Sequence, residues 1–478
     1  MKGSPYCERT EPGWFAEPLN TITGLAYLLA LRLGTQRAAL LAALGTLAVL
    51  IAVRNDAFPV FPALALAMAA MLCLERGLSR GAGWLFAAGL LVGLLTTFRH
   101  DLGAYAATAA GMWFLLLAAI QQQWPAWLQA LRRIAWFALG LFLVVVPMAV
   151  MLFTTVPLPD LYFSLIHSPA TIYPDVRSLP FPGLETLRNG LDQPLMLSEL
   201  AVYLPFLAVA LATVLEYRAL RRGRKAGQTV HAQLLQGRAL LPLLVLTCLL
   251  FTLKGLVRVS PIHMVQSIVL GLVLLAAVSG QIDWRRSADR LTAVPAFLLV
   301  VALSLPVAAL GGQWLLNGAR ELLYSEENLI TRCRQPVLPR MRCVSSDADS
   351  ISAARYIMRH SPDHARIYVG AGRHDKLFLN PVAFYFMAER HSATRWHELH
   401  PGIQTRATVQ AEMVAELRAD PPYFVVLDSR WDHVREANAS QHATGATLLD
   451  AHLQSHYAEE TAFGAIRILR MREPAARD

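Results

Sequence analysis

The chain is predicted to be a polytopic α-helical membrane protein of about ten spans, followed by a C-terminal periplasmic α/β domain. Three features predict it. Stretches such as Trp84 to Phe98, Ile134 to Thr154, Leu240 to Leu253 and Met264 to Gly280 carry no charge, and in lipid a helix hides its own backbone polar groups. Arginines gather on every second connection between such stretches. Beyond residue 310 the pattern changes to amphipathic runs alternating with short β-rich ones.

With 55% hydrophobic and 16% charged positions over 478 residues, the chain is too apolar for ordinary soluble domains, whose charged fraction is about a quarter. A buried core helix would suit one or two of these runs but not the set. Spans are expected near 18–34, 37–53, 57–74, 83–98, 104–120, 134–154, 198–217, 240–256, 262–280 and 292–310.

Orientation follows from the turns. Arg32 and Arg37, Arg76 and Arg80, Arg132 and Arg133, Arg218 to Lys225, and Arg285, Arg286 and Arg290 fall on alternate connections, which the positive-inside bias makes cytoplasmic. The other connections then face outward with most of the unusual polar residues. The expected domains are 1–56 with two spans, a transmembrane domain over 57–310 and the α/β domain over 311–478. In the last, Ile351 to His360, Val409 to Arg418 and Gly445 to Tyr457 read as helices, and Ala365 to Gly370, Tyr423 to Leu427 and Ala465 to Met471 as strands.

The net charge of +9 is spread over short turns instead of one stripe, so no nucleic-acid partner is expected. Residues 1–17 lack the basic-then-apolar order of a cleavable signal peptide, and no repeat stands out. The five cysteines form no CxxC pair. Cys333 and Cys343 flank a proline-containing loop and would join in an oxidising compartment, for roughly 3 kcal/mol or less; two free thiols are the alternative.

Candidate chemistry collects on the outer side. In Thr97-Phe98-Arg99-His100-Asp101-Leu102-Gly103, Arg99 suits a phosphate and Asp101 could take a hydroxyl proton, though an interfacial pair capping a helix would look the same. The proline-rich Leu161 to Leu184 is expected to avoid regular helix and to lie along the membrane surface. Arg177, Lys254, Arg258 and His263 add positive charge, and with Arg99 they would receive an anionic headgroup or snorkel to lipid phosphates. His397 and His400 have a spacing that a metal could use, but Pro401 and Gly402 argue for a turn and no third ligand is evident. There is no glycine-rich phosphate loop, GxSxG or HExxH.

From about Phe58 onward the chain resembles the protein-mannosyltransferase-like branch of GT-C membrane glycosyltransferases. The resemblance is carried by Ala88 to Leu94 leading into Arg99-His100-Asp101-Leu102-Gly103, by Ser168 to Tyr173 with Arg177 to Pro182, and by Thr394 to Gly402. It implies a polyprenyl-phosphate-sugar donor, an envelope glycan, lipid or protein acceptor met at the outer face, inversion at the sugar carbon, no nucleotide sugar and no firm cofactor. Arg99 would be a donor-phosphate ligand. The family's acidic first outer loop has no match here.

Instead Tyr6 to Thr10, Pro12 to Asn20 and Thr23 to Ala26 resemble the opening of bacterial alkaline-ceramidase-like hydrolases, which implies a calcium-binding acidic segment and a zinc site. The zinc histidines are not matched, since the membrane half has only His100, His167, His231 and His263. Either the gene is rearranged, leaving an incomplete or inactive product, or Glu8 or Glu17 supplies the missing carboxylate. The expectation is a glycosyltransferase-like protein of a bacterial inner membrane, with Asp101, Glu8 and Glu17 as candidate bases. A ceramidase-like lipid-amide hydrolase and a non-catalytic scaffold are the alternatives.

Overall fold

The computed structural model describes residues 18–53, 59–225, 239–279, 282, 287–324, 329–342 and 346–472. They form two units. One takes the described residues of Thr10–Leu161 and Pro180–Asn317, the other those of Tyr162–Leu179 and Gly318–Asp478.

The first unit is helical. Its helices are α1 (Pro18–Leu33), α2 (Gln36–Ala52), α3 (Val60–Arg80), α4 (Ala82–Phe98), α5 (His100–Gln121) and α6 (Trp124–Thr155). After the segment that belongs to the other unit come α9 (Leu184–Asp192), a 3-10 helix (Pro194–Tyr203), α10 (Leu204–Lys225), α11 (Leu240–Gly255), α12 (Val265–Ser279) and α13 (Ser287–Tyr324). Each of the ten expected apolar runs is a helix. Five are long and apolar enough to cross a membrane, namely Val60–Arg80, His100–Gln121, Trp124–Thr155, Met196–Lys225 and Val294–Glu321. The other five are apolar helices of 10–17 residues, and seventeen residues extend only about 25 Å.

Local sequence sets the boundaries. The Thr35 hydroxyl caps α2 by accepting from the Ala38 N–H at 3.2 Å. Gly81, at φ 104°, makes the one-residue turn between α3 and α4, a backbone conformation that side chains disfavour. Along α6 the residues Leu139, Phe142, Leu143, Val146, Val150, Met151 and Phe153 are exposed, a row that suits lipid and not water. The opposite side of α6 meets α4 backbone to backbone. A Cβ on Gly89 would lie 2.0 Å from the Phe137 carbonyl oxygen, and one on Gly140 would lie 2.1 Å from that of Phe86. Small residues permit such an approach between membrane helices, where dispersion rather than the hydrophobic effect holds them.

Of the stretch 161–184 expected to avoid helix, residues 161–177 are helical, while 178–183, with Pro180 and Pro182, are not. It runs α7 (Leu158–Tyr162), a π-helix (Phe163–Ile172) and α8 (Tyr173–Arg177) before α9 and the 3-10 helix. The π-helix contains Pro169. A proline ring clashes with the carbonyl four residues back, and here the hydrogen bonding widens instead, so that the Tyr173 N–H reaches the Ser168 carbonyl. Pro174 falls in the first turn of α8, where its missing N–H costs nothing.

The second unit contains a five-stranded sheet with the order β2-β1-β3-β5-β4. The strands are β1 (Arg366–Ala371), β2 (His391–Ser392), β3 (Phe424–Asp428), β4 (Tyr457–Phe463) and β5 (Ile466–Met471). β1 is parallel to β2 and β3, while β5 is antiparallel to β3 and β4. Its helices are α14 (Leu329–Arg334), α15 (Ala348–His360), α16 (Ala383–Met387), α17 (Ala407–Ala419) and α18 (Leu448–His456). Strand alternation divides the core in two. Ile367, Val369, Phe424, Val426, Ile466 and Ile468 pack with α15 and α16, whereas Tyr368, Val425, Leu427 and Leu469 pack with α17 and α18. This is the α/β layer domain that the alternating pattern predicts. Of its elements, α14, β2, β4 and α16 lay outside the sequence expectation.

Within α18, His452 is 6% exposed and neither ring nitrogen has a hydrogen-bond partner among the described residues. Burial, then the neighbouring His456 and Arg418, holds its pKa below the ordinary histidine value. The folded ring stays neutral where the unfolded one protonates, so stability falls as pH drops through about 6.5.

Two outcomes follow from this packing. Gly89→Leu and Gly140→Leu should each lower the thermal unfolding midpoint of the detergent-solubilised protein, for about 1–3 kcal/mol of overpacking. Gly83→Leu and Gly111→Leu, where a Cβ meets nothing within 4 Å, should leave it in place; equal midpoints in all four would show that α4 and α6 do not meet through these glycines. The wild-type midpoint should also fall on acidification from about pH 7.5 to 5.5 by more than that of His452→Leu. Parallel curves for the two proteins would remove His452 as the cause.

Candidate functional site

Arg99 is the single residue between α4 and α5. Its backbone is extended, at φ −149° and ψ 98°, and its N–H closes α4 on the Leu95 carbonyl at 2.9 Å, while its own carbonyl receives the Gly103 N–H at 3.0 Å. The guanidinium grips Asp101 with both arms, Nε to Oδ1 at 3.0 Å and Nη2 to Oδ2 at 2.5 Å. Asp101 Oδ1 also accepts from the Leu102 N–H at 2.9 Å. An anion in the first turn of a helix is favourable. Gly103 makes the turn possible, since a Cβ there would lie 2.1 Å from the Thr96 hydroxyl.

Lys254 sits in the last turn of α11, which packs on α5. Its ammonium donates to the His263 carbonyl at 3.2 Å and lies within electrostatic range of both Arg99 and Asp101. The Gln266 amide donates to the same carbonyl at 3.0 Å, and the Ser260 hydroxyl pairs with His263 Nδ1 at 2.8 Å. At the other end of the pair, the Trp113 indole pins α5 to the Ala239 carbonyl at 2.7 Å. The structure thus gathers Arg99, Asp101, Lys254 and His263, and Arg258 lies on the same short α11–α12 connection. The Arg99–Asp101 pair carries no net charge by itself. Lys254 makes the group cationic.

Arg177 belongs to the second unit and has partners of its own. It donates to the Phe378 carbonyl at 2.5 Å, lies over the Phe378 ring and pairs with Glu436 at 3.4 Å. The Asn438 amide holds the next carbonyl, Ser178, at 2.8 Å. Gly402, at φ 77°, fits beneath Ile172 and Val176, where a Cβ would come within 2.9 Å of both. Two of the three segments that carry the glycosyltransferase resemblance therefore meet. His400, beside them, is held below the ordinary histidine pKa by partial burial; Glu398 opposes that shift and Arg177 adds to it.

Glu8 and Glu17 lie outside the described residues. Cys333 is disulfide-bonded, and Cys343, its expected partner, also lies outside them. Among the described residues no group of three or more His, Cys, Asp or Glu side chains could hold a metal.

Sequence reasoning passed over Glu436 and Asn438, which meet Arg177 and Ser178 from about 260 positions away. It also passed over a buried relay at the end of β1. His374, fully buried, holds Asp450 at 2.7 Å through Nδ1 and the Tyr368 hydroxyl at 2.8 Å through Nε2. Beside it Asp375 is held below the usual carboxylate range by the two-armed Arg373. Neither arrangement leaves a sequence pattern, because its partners join only across the fold.

No protein-family model matches the chain, and no curated protein matches it in sequence. Among solved structures it is similar to ArnT from Cupriavidus metallidurans, crystallised bound to undecaprenyl phosphate. That likeness has 14% sequence identity and a TM-score of 0.49, and covers 95% of this chain and 82% of that one. It is also similar to the archaeal oligosaccharyltransferase AglB from Archaeoglobus fulgidus, solved in complex with an inhibitory peptide and a dolichol-phosphate. There the identity is 13% and the TM-score 0.42, over 96% of this chain and 63% of that one. Both TM-scores lie below one half, and neither likeness assigns the chain a function.

Proposed function

We propose that the protein is a membrane glycosyltransferase that moves a sugar from a polyprenyl-phosphate donor to an envelope acceptor. The observation that carries this reading is the cationic group formed where α4 meets α5 and α11 meets α12, with Arg99, Lys254 and Arg258 as donor-phosphate ligands. His263 shapes the same rim. A phosphate entering there would compete with Asp101 for the Arg99 fork, which matches phosphate geometry, while Lys254 supplies a second charge through an apolar surround where it acts strongly. The chemical burden of the transfer is charge on the departing phosphate, and cations fixed in advance are the device that answers it.

The site lies at the ends of apolar helices, which fits a donor with a long hydrocarbon tail and a charged head. The arginine pattern supports the inner membrane of a bacterium, about ten spans and the α/β domain on the periplasmic side. Arg177 serves the second unit's own packing in the present arrangement, and its role as a phosphate ligand would require release from Glu436. Pairing of Cys333 with Cys343 suits that oxidising side.

Purified protein in nanodiscs should bind a radiolabelled polyprenyl-phosphate sugar. Arg99→Ala and Lys254→Gln should each weaken binding by roughly 10- to 100-fold, the range of one charge-assisted hydrogen bond of about 1.5–3 kcal/mol. Wild type and both variants binding alike would remove the phosphate assignment.

A further inference from the structure

The geometry points to a binding site for anionic phospholipids at the last turns of α10, formed by Arg221, Arg224 and Lys225. The inference rests on α10 crossing a membrane and not on the donor reading above. The apolar stretch Met196–Lys225 that contains this helix is long enough for the crossing, so its end meets a layer of lipid headgroups.

The winding sorts α10 into two sides. Leu204, Ala208, Ala212, Leu215 and Ala219 recur at spacings of three and four and are buried. At about 3.6 residues per turn, the opposite side carries Phe206, Val214, Tyr217, Arg221 and Arg224, with Lys225 at its margin. Phe206 and Val214 are each 39% exposed and Tyr217 is 64% exposed, and the three cations are exposed as well. One outward row therefore runs from apolar through aromatic to cationic. Phe206 and Val214 suit acyl chains, and a tyrosine suits the boundary between hydrocarbon and headgroups. Arg221 to Lys225 follow Tyr217 by four to eight residues, about 6–12 Å of helical rise, which carries their charges across the headgroup layer.

The protein supplies little to balance this charge. Arg224 and Lys225 stand three and four positions from Arg221, where like charges repel. None of the three has a hydrogen bond or ion pair among the described residues. α11 and α12, which pack on α10, contain no Asp or Glu, and the sequence has none from Tyr217 to Ile282. Arg218 and Arg222 bring the basic residues of 216–225 to five, against the single acid Glu216. The negative end of the helix dipole amounts to about half a charge, which offsets only a small part of the excess.

The remainder calls for anions from outside, and phosphodiester groups stand at this level of a leaflet. A guanidinium fork matches two phosphate oxygens, and the lysine adds a point charge. A soluble polyanion would meet the cations alone. A phospholipid engages the whole row, with its phosphate on the cations and its chains along Val214 and Phe206.

The test uses the full chain purified in a neutral detergent, with fluorescent phosphatidylglycerol and phosphatidylcholine as probes. Wild type should retain phosphatidylglycerol in preference to phosphatidylcholine, and added salt should weaken the preference. Each cation at an anionic lipid surface contributes about fivefold, so Arg221→Gln combined with Arg224→Gln should lower retention of phosphatidylglycerol roughly 10- to 30-fold. Arg221→Lys combined with Arg224→Lys keeps the charge and should lose less. Arg132→Gln combined with Arg133→Gln removes the same charge from another basic connection and should leave retention in place. Equal retention of the two lipids by wild type, an equal fall in the two glutamine pairs, or a lysine pair that falls as far as its glutamine counterpart overturns the assignment.

Discussion

The fork between Arg99 and Asp101 governs the helical unit. The two residues are separated by one position, so little conformational freedom is lost in joining them, and the two-armed geometry is the strongest an arginine and a carboxylate can adopt. By holding Arg99 extended, it lets α4 end and α5 begin with no loop between them. α5 then lies where α11 can pack on it, pinned by Trp113 at one end and carrying the charges towards Lys254 at the other. Remove the fork and an uncompensated charge would stand at an apolar helix end, the arrangement that costs most in such a medium.

The second unit uses the same chemistry for a different end. Arg430 grips Asp428 at the end of β3, with Nη2 to Oδ2 at 2.6 Å, and reaches Asp347 at 2.7 Å with its other arm. Asp347 in turn caps α15, accepting from the Ser350 N–H at 2.8 Å. One guanidinium therefore ties a strand end to a helix start. Hydrogen bonding to Asp428, outweighing burial, raises its already high pKa further, so the tie is permanent across ordinary pH.

What the sequence revealed depended on the range of the interaction. The apolar helices were legible because hydrophobic runs and the arginines between them are local signals, and Ile351 to His360, Val409 to Arg418 and Tyr423 to Leu427 each fall on an observed element. β4 was missed because it is an edge strand with Glu459 and Glu460 on it, polar where a central strand would be apolar. Prolines in the 161–184 stretch argued against helix, which holds around Pro180 and Pro182, yet a widened turn absorbed Pro169. At the candidate site, Arg99 and Asp101 were readable as neighbours in sequence. Their link to Lys254 needs helix packing, since α11 meets α5 only across the fold.

Tyr162–Leu179 belongs by contact to the α/β unit, although it precedes the other described residues of that unit by well over a hundred positions. Among the described residues the chain consequently passes between the units at three places, after Leu161, after Leu179 and after Asn317. A fragment starting at Gly318 would lack the guanidinium that Glu436 and the Phe378 carbonyl receive, and it would bare the apolar seat above Gly402 to water. The tail is therefore no cassette. Recombination that exchanged it between proteins with a single crossover would strand its eighteen-residue stitch, Tyr162–Leu179, in the other parent.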